Sequence, residues 1–417
     1  MKSNSPLLKK EQGAGGEVKA RNNKQNNPPL LKKGAGAGGE VKHMATEQLL
    51  FYTKMNFGVA ANGGIKKKVF GQARAFRAHG LATDVLYVEN KTIKIEGDTA
   101  HISEFVPQKW AYLRFLFGGF LSTINVEKYS YLYIRHFLTN PLFLLMLYRI
   151  KKQNPALKIF MEIPTYPYQY ELADQPFGQK MALWLDQRCS VFFKYFVSKI
   201  ITFSNESIIF DIPTIQTDNG IDVSQFKVLH KAPYQQTLHL LGLANVQSWH
   251  GYDRIIEGMK LNTNFRVVFH VVGGGDAIPQ LKKLTHQHNL EESVLFYGYQ
   301  SGEQLQKIIE KCHLGVGACG MHRKNCVNTT SALKSVEYAV QGLPFVSGQD
   351  RAFPSDSPFV FLIPEDETPI NLVALGQFYQ NLRQQIPDYP AQMHQFVVQH
   401  LTWGIKLKKV VSQFRAS

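Results

Sequence analysis

The chain has 417 residues, 44% of them hydrophobic and 19% charged. That composition excludes a chain disordered throughout, and at about 150 residues per domain the length predicts two or three domains. Of the formal net charge of +15, residues 1–44 contribute nine Lys/Arg against three Glu, or +6, which leaves +9 for the other 373 residues. Such an excess suits an anionic ligand or a membrane surface better than a dedicated nucleic-acid groove, so no nucleic-acid partner is expected.

Residues 1–44 read as an appended, disordered expression tag outside the fold, the rival reading being a basic tail for anionic partners. Pro6-Leu-Leu-Lys-Lys10 recurs as Pro29 to Lys33, and Gly13 to Lys19 recurs as Gly36 to Lys42. Two copies do not build a solenoid, and the remainder is too polar to repay the entropy of ordering. Cys189, Cys312, Cys319 and Cys326, with no signal-peptide-like start, fit a reducing, cytoplasmic compartment without disulfides. The last three stand seven residues apart, which is not paired zinc-ligand spacing, so no metal is expected. The apolar stretches Trp110 to Leu121 and Phe137 to Ile150 are broken by Arg114, Asn140 and Arg149. Neither reaches the roughly 20 residues needed to span a bilayer.

From Gln48 onward, β-rich apolar runs alternate with helix-length amphipathic segments: Leu49–Thr53, Asp84–Val88, Tyr131–Ile134, Ile159–Ile163 and Ile200–Phe203. After turn-rich stretches at Asp218–Asp222 and Lys231–Tyr234 the pattern restarts with Leu238–Leu241, Val267–Val272, Val294–Tyr297, Leu314–Val316, Phe345–Ser347 and Phe359–Ile363. This predicts an α/β protein of two doubly wound, Rossmann-like parallel-sheet domains, joined near residue 228 and facing a cleft at the carboxyl ends of both sheets. The expected division is 45–228, 229–395, and a C-terminal helix over 396–417 that packs back on the first domain.

Three segments carry candidate chemistry. Asn62-Gly63-Gly64 lies between the first strand and a helix running to about His79, where bare backbone amides can approach an anion; a plain turn accounts for it too. Val271-Val272-Gly273-Gly274-Gly275-Asp276 opens a helix to about His288 and offers either room for a base or ribose, or a tight turn. Neither is a full G-x-G-x-x-G, so an NAD-dependent oxidoreductase has little support. The third, Ser331 to Pro344, reads as a helix capped near Thr330 or Ser331 and ended by Gly342. Amides of Ser331, Ala332 and Leu333 can hold a diphosphate, Lys334 adds a point charge, and Glu337 can accept hydrogen bonds from ribose hydroxyls. Spacing alone favours an exposed Lys334–Glu337 pair on a solvated face.

These segments resemble a known family. Asn219-Gly-Ile-Asp222 with Phe226, Trp249-His250-Gly-Tyr-Asp-Arg254 to Gly258, the Val-Gly-Gly-Gly segment, and Leu333-Lys334-Ser-Val-Glu337 to Pro344 occur in the order and spacing of family 4 glycosyltransferases, glycosyl transferases group 1. The resemblance covers residues 48–415 and implies the GT-B fold, with an N-terminal acceptor domain and a C-terminal nucleotide-sugar domain. Glu162 to Tyr168 is similar to a segment of bacterial polysaccharide-assembly members.

The resemblance implies a hexosyltransferase (EC 2.4 class) that needs neither cofactor nor metal. It would move a sugar with retention from a nucleotide diphosphate donor, a UDP-sugar in first place, to a saccharide or polyprenyl-linked acceptor. The setting implied is bacterial surface-polysaccharide or glycoconjugate synthesis in the cytoplasm, with peripheral contact to the inner face of the plasma membrane. Glu337 matches the second glutamate of the E-x7-E motif and is expected on the ribose; Thr329 stands where the first, which touches the donor sugar, would be. The family's Arg and Lys after the first strand of the second domain are also missing, leaving His250 as the basic residue of Gly242 to Gly251. Lys334 is therefore expected to neutralise the leaving diphosphate, with Arg254 next and Arg323 or Lys324 as loop candidates. Glu162 would orient the acceptor or act as a base, or simply hold the following turn.

Tyr166, Tyr168 and Tyr170 can stack on sugars or pack on the sheet, and Lys109 to Phe117 suits a membrane interface and core packing equally. A rival from another class is a non-catalytic GT-B partner subunit that binds nucleotide-sugar or scaffolds another transferase. Thr329 and the missing Arg/Lys pair favour the partner subunit; the kept Glu337, Lys334 and glycine loops favour the enzyme.

Overall fold

The structure is a computed structural model that describes residues 47–59, 62–90, 92–97, 103–105 (backbone), 124–164, 166–168, 177–229, 234, 236–262, 264–323, 333–348, 350 and 352–416. The expected appended segment, residues 1–44, lies outside the described residues.

In the first domain β1 (Gln48–Asn56) runs through five consecutive buried residues, as a strand covered on both faces must. Helix α1 (Gly63–Ala78) buries Val69, Gln72, Ala73 and Phe76, a stripe at helical spacing. There follow β2 (Ala82–Glu89), β3 (Thr92–Gly97), β4 (Ser103–Phe105), β5 (Tyr131–Arg135), α2 (Pro141–Gln153), β6 (Lys158–Ile163), α3 (Phe177–Ser190), β7 (Val197–Thr202), β8 (Ile208–Ile209) and β9 (Ile212–Gln216). The start of α2 is set by Asn140, whose side chain accepts from the Phe143 N–H, and by Pro141 in the first turn.

These strands form a nine-stranded sheet in the order β4-β3-β2-β1-β5-β6-β7-β9-β8. The sequence predicted a wholly parallel sheet, whereas β3 and β4 add antiparallel at one edge and β8 at the other. Both edges are hairpin edges. Asn90 takes a left-handed conformation (φ 52°) between β2 and β3, and Phe210 and Asp211 do so (φ 52° and 61°) between β8 and β9. These strands are short or alternate with polar residues, so they show no apolar run.

The second domain holds β10 (Thr237–Leu243), α4 (Tyr252–Leu261), β11 (Arg266–Val272), α5 (Ile278–Gln287), β12 (Val294–Gly298), α6 (Gly302–Ile309), β13 (Leu314–Val316), α7 (Leu333–Val340), β14 (Phe345–Ser347) and β15 (Val360–Leu362). Its six strands are parallel, in the order β12-β11-β10-β13-β14-β15. The order reverses between β1 and β5 in one sheet and between β10 and β13 in the other, the points where a doubly wound sheet opens a crevice at its carboxyl end.

Three helices close the chain: α8 (Leu372–Gln385), α9 (Tyr389–His400) and α10 (Trp403–Ala416). The final helix begins at Trp403, since α9 occupies the positions through His400. At the crossing, Ile221 donates to the Leu401 carbonyl and Trp403 donates back to that of Ile221. Helix α10 then packs on α1, with Trp403 seated against Gly71, where a Cβ would come within 2.7 Å of the indole. Phe414 lies fully buried among Phe76, Tyr131 and Phe160, 4.1 Å from the last between ring centroids. Among the described residues no helix is long and apolar enough to cross a membrane.

Because Phe414 plugs the first domain's aromatic core, Phe414→Ala should cost about 3–5 kcal/mol. A urea titration by far-UV circular dichroism measures it; an unchanged midpoint would mean α10 adds nothing to that core.

Candidate functional site

The two domains meet at a small pocket where Lys67 and Lys68 of α1, Phe226 of the linker, Leu333 and Glu337 of α7, and Trp403 line one space. Its free volume is about 10 Å³, room for a single water. Burial raises the carboxyl of Glu337 above its ordinary value, and Lys67 across the pocket pulls it back. Glu337 is thus a partly buried acceptor facing a cation, rather than one half of the solvated pair its spacing suggested.

Lys334, one turn earlier, points elsewhere. Its Nζ is sealed from solvent and finds no hydrogen-bond partner among the described residues, lying 5.5 Å from the Tyr252 ring centroid. Burial pulls the ammonium down to about 7, opposed by the neighbouring Cys319 and Asp350. Asp350, between the last two strands of the sheet, is itself pushed up to about 6 by burial, which the Ala352 N–H on Oδ1 and the nearby Ser335 hydroxyl oppose. An ammonium sealed without an acceptor is costly, and an anionic ligand would relieve it.

The glycines divide into two kinds. A Cβ at Gly63 or Gly64, in the first turn of α1, would meet nothing within 4 Å, so that turn faces open space. At Gly273 (φ 117°) a Cβ would fall 1.9 Å from the Ala244 carbonyl oxygen, and at Gly274 2.6 Å from the Tyr299 ring. Here glycine is required, because the loop crosses directly over the chain that follows β10. Beside it opens a cavity of about 290 Å³ lined by Gly273, Gly274, Gly275 and Gly298 with Ile278, Lys282 and Phe296. His250 sits in the neighbouring turn, where Nδ1 accepts from the Gln247 N–H and its carbonyl accepts from the Cys319 N–H.

Two expected chemical roles are corrected. Glu162, read as an acceptor-orienting group or base, is fully buried beneath the cleft. Its carboxylate accepts from Gln72 (2.6 Å), the Tyr133 hydroxyl (2.7 Å) and Arg135, and lies 3.5 Å from Lys68. Burial would raise its pKa, but Lys68, Arg135 and the hydrogen bonds hold it at about 2, far too acidic for a base near neutrality. Arg254 is 2% exposed and spends its guanidinium on structure. It donates to the carbonyls of Thr368, Cys319 and Pro364 and to Asp366, which takes four of its five N–H groups away from the cleft.

Arg323 is likewise engaged, clamped on Asp253 and Glu367. Ser331, Ala332, Thr329, Lys324, Tyr170, Cys326 and the segment 109–117 lie outside the described residues. Tyr166 and Tyr168 pack beside the first domain's core, with the Tyr168 hydroxyl donating to Asp186. The thiols of Cys312 and Cys319 are buried, and burial pushes Cys319 up to about 12. Sequence reasoning missed Lys67, Lys68, Trp403 and Asp350. The Lys66-Lys67-Lys68 run beside Gly63-Gly64 was an available signal for the first two; nothing local marks Trp403 or Asp350.

Residues 231–353 match the family model described as Glycosyl transferases group 1. Among solved structures, a glycosyltransferase from Rickettsia africae is similar over 89% of this chain and 98% of its own, at 10% identity and a TM-score of 0.59. Sucrose-phosphate synthase from Thermosynechococcus elongatus matches over 89% and 100%, at 13% identity and a TM-score of 0.56. Anabaena HepE in complex with UDP and glucose matches over the same shares, at 13% identity and a TM-score of 0.55. A comparison with curated protein sequences finds no match. The likeness spans both sheets and shows the GT-B fold.

Since Arg254 holds buried carbonyls, Arg254→Met should lower the thermal midpoint, at about 1–3 kcal/mol for each acceptor stranded, without changing nucleotide affinity. Loss of affinity with an unchanged midpoint would return Arg254 to the ligand. Stability should also rise as pH is raised from about 7 toward 10. Lys68 and Lys334 sit at about 7 when folded against an ordinary 10.5, so in that window the unfolded chain binds more protons. Urea midpoints at pH 7 and 9 test this, and Lys334→Met should flatten part of the slope.

Proposed function

As residues 231–353 belong to the glycosyl transferases group 1 and the chain has the GT-B fold, we propose that it transfers a hexosyl group, with retention, from a UDP-sugar to a saccharide or lipid-linked acceptor. The observation that carries this is the sealed ammonium of Lys334, unpaired among the described residues, at the start of α7, at the carboxyl end of the second sheet and one turn from Glu337. In transfer, the acceptor oxygen bonds to the anomeric carbon as the bond from that carbon to the donor phosphate oxygen breaks; the diphosphate gains charge as it leaves and takes up the acceptor's proton. A fixed cation in a desolvated site stabilises that charge more in the transition state than in the ground state. Lys334 takes this part without a divalent ion, Glu337 receives the ribose hydroxyls, and the cavity beside Gly273 and Gly274 suits a flat base.

Lys67 adds positive charge on the opposite wall, and the open first turn at Gly63 and Gly64 leaves backbone amides accessible there. With α1 and α7 in contact over Glu337, the donor enters only when the domains part. UDP as the carrier is supported by HepE in complex with UDP and glucose and by the pneumococcal O-GlcNAc transferase in complex with UDP and GlcNAc. Bacterial surface-polysaccharide or glycoconjugate synthesis on the cytoplasmic side, with a lipid-linked acceptor met at the membrane, completes the proposal.

Transfer from a panel of nucleotide-sugars by the purified chain tests it. Lys334→Ala should lower kcat by about 100- to 1000-fold with less effect on KM. Glu337→Gln should weaken UDP binding by the roughly 1.5–3 kcal/mol of a charge-assisted hydrogen bond, measured by calorimetry. Activity should survive EDTA. Loss in EDTA restored by Mg²⁺ or Mn²⁺ would overturn the role of Lys334, and UDP binding without transfer would favour a non-catalytic partner subunit.

A further inference from the structure

One face of the second sheet carries a group of rings to which sugar transfer gives no part. The register of β10 and β11 pairs His239 with Val268 and Leu241 with His270, so the two histidines stand diagonally on the same side of adjoining strands. Their rings lie 5.2 Å apart between centroids at 27°, and Nδ1 of His239 meets Nε2 of His270 at 2.9 Å. On the other side of His270, Nδ1 lies 2.9 Å from the Tyr297 hydroxyl of β12, with the rings 5.8 Å apart at 16°. Side-chain hydrogen bonds thus cross three neighbouring strands in a row, and the middle ring, His270, is 3% exposed.

The nitrogen-to-nitrogen contact holds one proton and no more. With both imidazoles neutral, one ring donates and the other accepts, and the Tyr297 hydroxyl donates or accepts to match. A first added proton keeps these bonds but places a charge inside the sheet, and a second sets N–H against N–H. The surroundings favour neither. Arg266 and Lys311 act on His239, and Lys311, His239 and His313 act on His270. Cys312 faces Tyr297, and His313 accepts at Nδ1 from the His239 N–H. Tyr234, ahead of β10, and Tyr379 of α8 pack on the His313 ring, and Arg383 of α8 lies 5.7 Å from each of those two tyrosine rings. None of these groups is a carboxylate. Burial first, and then the neighbouring positive charges, hold His239 below the ordinary histidine value and His270 at about 4.

We propose that His239, His270 and Tyr297 form an acid-sensitive lock on the second domain, which holds β10, β11 and β12 together while the rings are neutral and releases them when the pair is charged. Leu243 and Val272 end β10 and β11 one residue before Ala244 and Gly273 cross, so the lock lies directly below the glycine loop. It does not depend on the transferase assignment, because its test reads folding and no activity. The folded rings bind protons less readily than the unfolded chain, so this contribution to stability is full above about pH 6.5 and is lost as pH falls toward 4. Glu337 and Asp350, whose carboxyls burial raises, act with the opposite sign, so comparison with variants is decisive. From urea midpoints of the full chain at pH 7.5 and 5, the parent should lose about tenfold or more in its folding equilibrium constant relative to His270→Phe, which keeps a ring without a titrating nitrogen. His239→Asn, whose carbonyl can still accept from His270, should lose an intermediate amount. Imidazole nitrogen-15 spectra of the parent should keep neutral-ring signals at pH 6, where an ordinary histidine is mostly charged, and His239→Asn should lack one of them. That readout stands even if His270→Phe does not fold. An equal loss in all three proteins, or all rings charged at pH 6 with the fold intact, would overturn the proposal.

Discussion

The wall of the cleft in the first domain depends on one buried carboxylate. Glu162, at the end of β6, is removed from water and would be prohibitively costly there alone. Gln72 and Lys68 from α1 and Tyr133 and Arg135 from β5 surround it, so one group ties a helix to two adjacent strands. Lys68 is pinned twice more, with its Nζ 3.8 Å above the Phe203 ring and donating to Asn219 in the linker. That fixes the rotation of α1 and hence directs Lys67 toward Glu337 across the domain junction.

The second domain handles its buried cations in two opposite ways. Arg254 meets three carbonyls and a carboxylate, which the planar, multiply donating guanidinium can satisfy together, and it thereby braces the turn after β13 against the segment after β15. Lys334 meets no acceptor among the described residues and holds its proton weakly, although Asp350 is near enough to oppose the shift. A fully paired charge is a structural strut, whereas an ammonium sealed without an acceptor carries the cost of its lost hydration.

The apolar runs revealed eleven of the twelve parallel strands, because a strand buried on both faces must be continuously apolar, and they passed over β9, whose burial alternates. Edge hairpins escaped for the same reason in reverse: Ile93 and Ile95 alternate with Thr92, Lys94 and Glu96, and such short antiparallel pieces merge with turns. The end of α7 at Gly342 was also legible, since its left-handed φ of 75° is one that glycine adopts without strain. The start of α10 was not, because α9 and α10 are separated only by Leu401 and Thr402, with no proline or glycine between them.

The sequence by itself determined the fold class, the position of the two glycine loops and the helix that carries Lys334 and Glu337, all properties of local periodicity and backbone permissiveness. Tertiary structure alone decided what each charged residue does. Glu162, Arg254, Lys334 and Glu337 look alike in one dimension, as polar residues near strand or helix ends. Their work depends on how much water is removed and which distant groups arrive to replace it, such as Lys68 from 94 positions before Glu162 or Thr368 from 114 after Arg254. Electrostatic energy in a desolvated site is set by spatial neighbours, and sequence spacing carries no record of them.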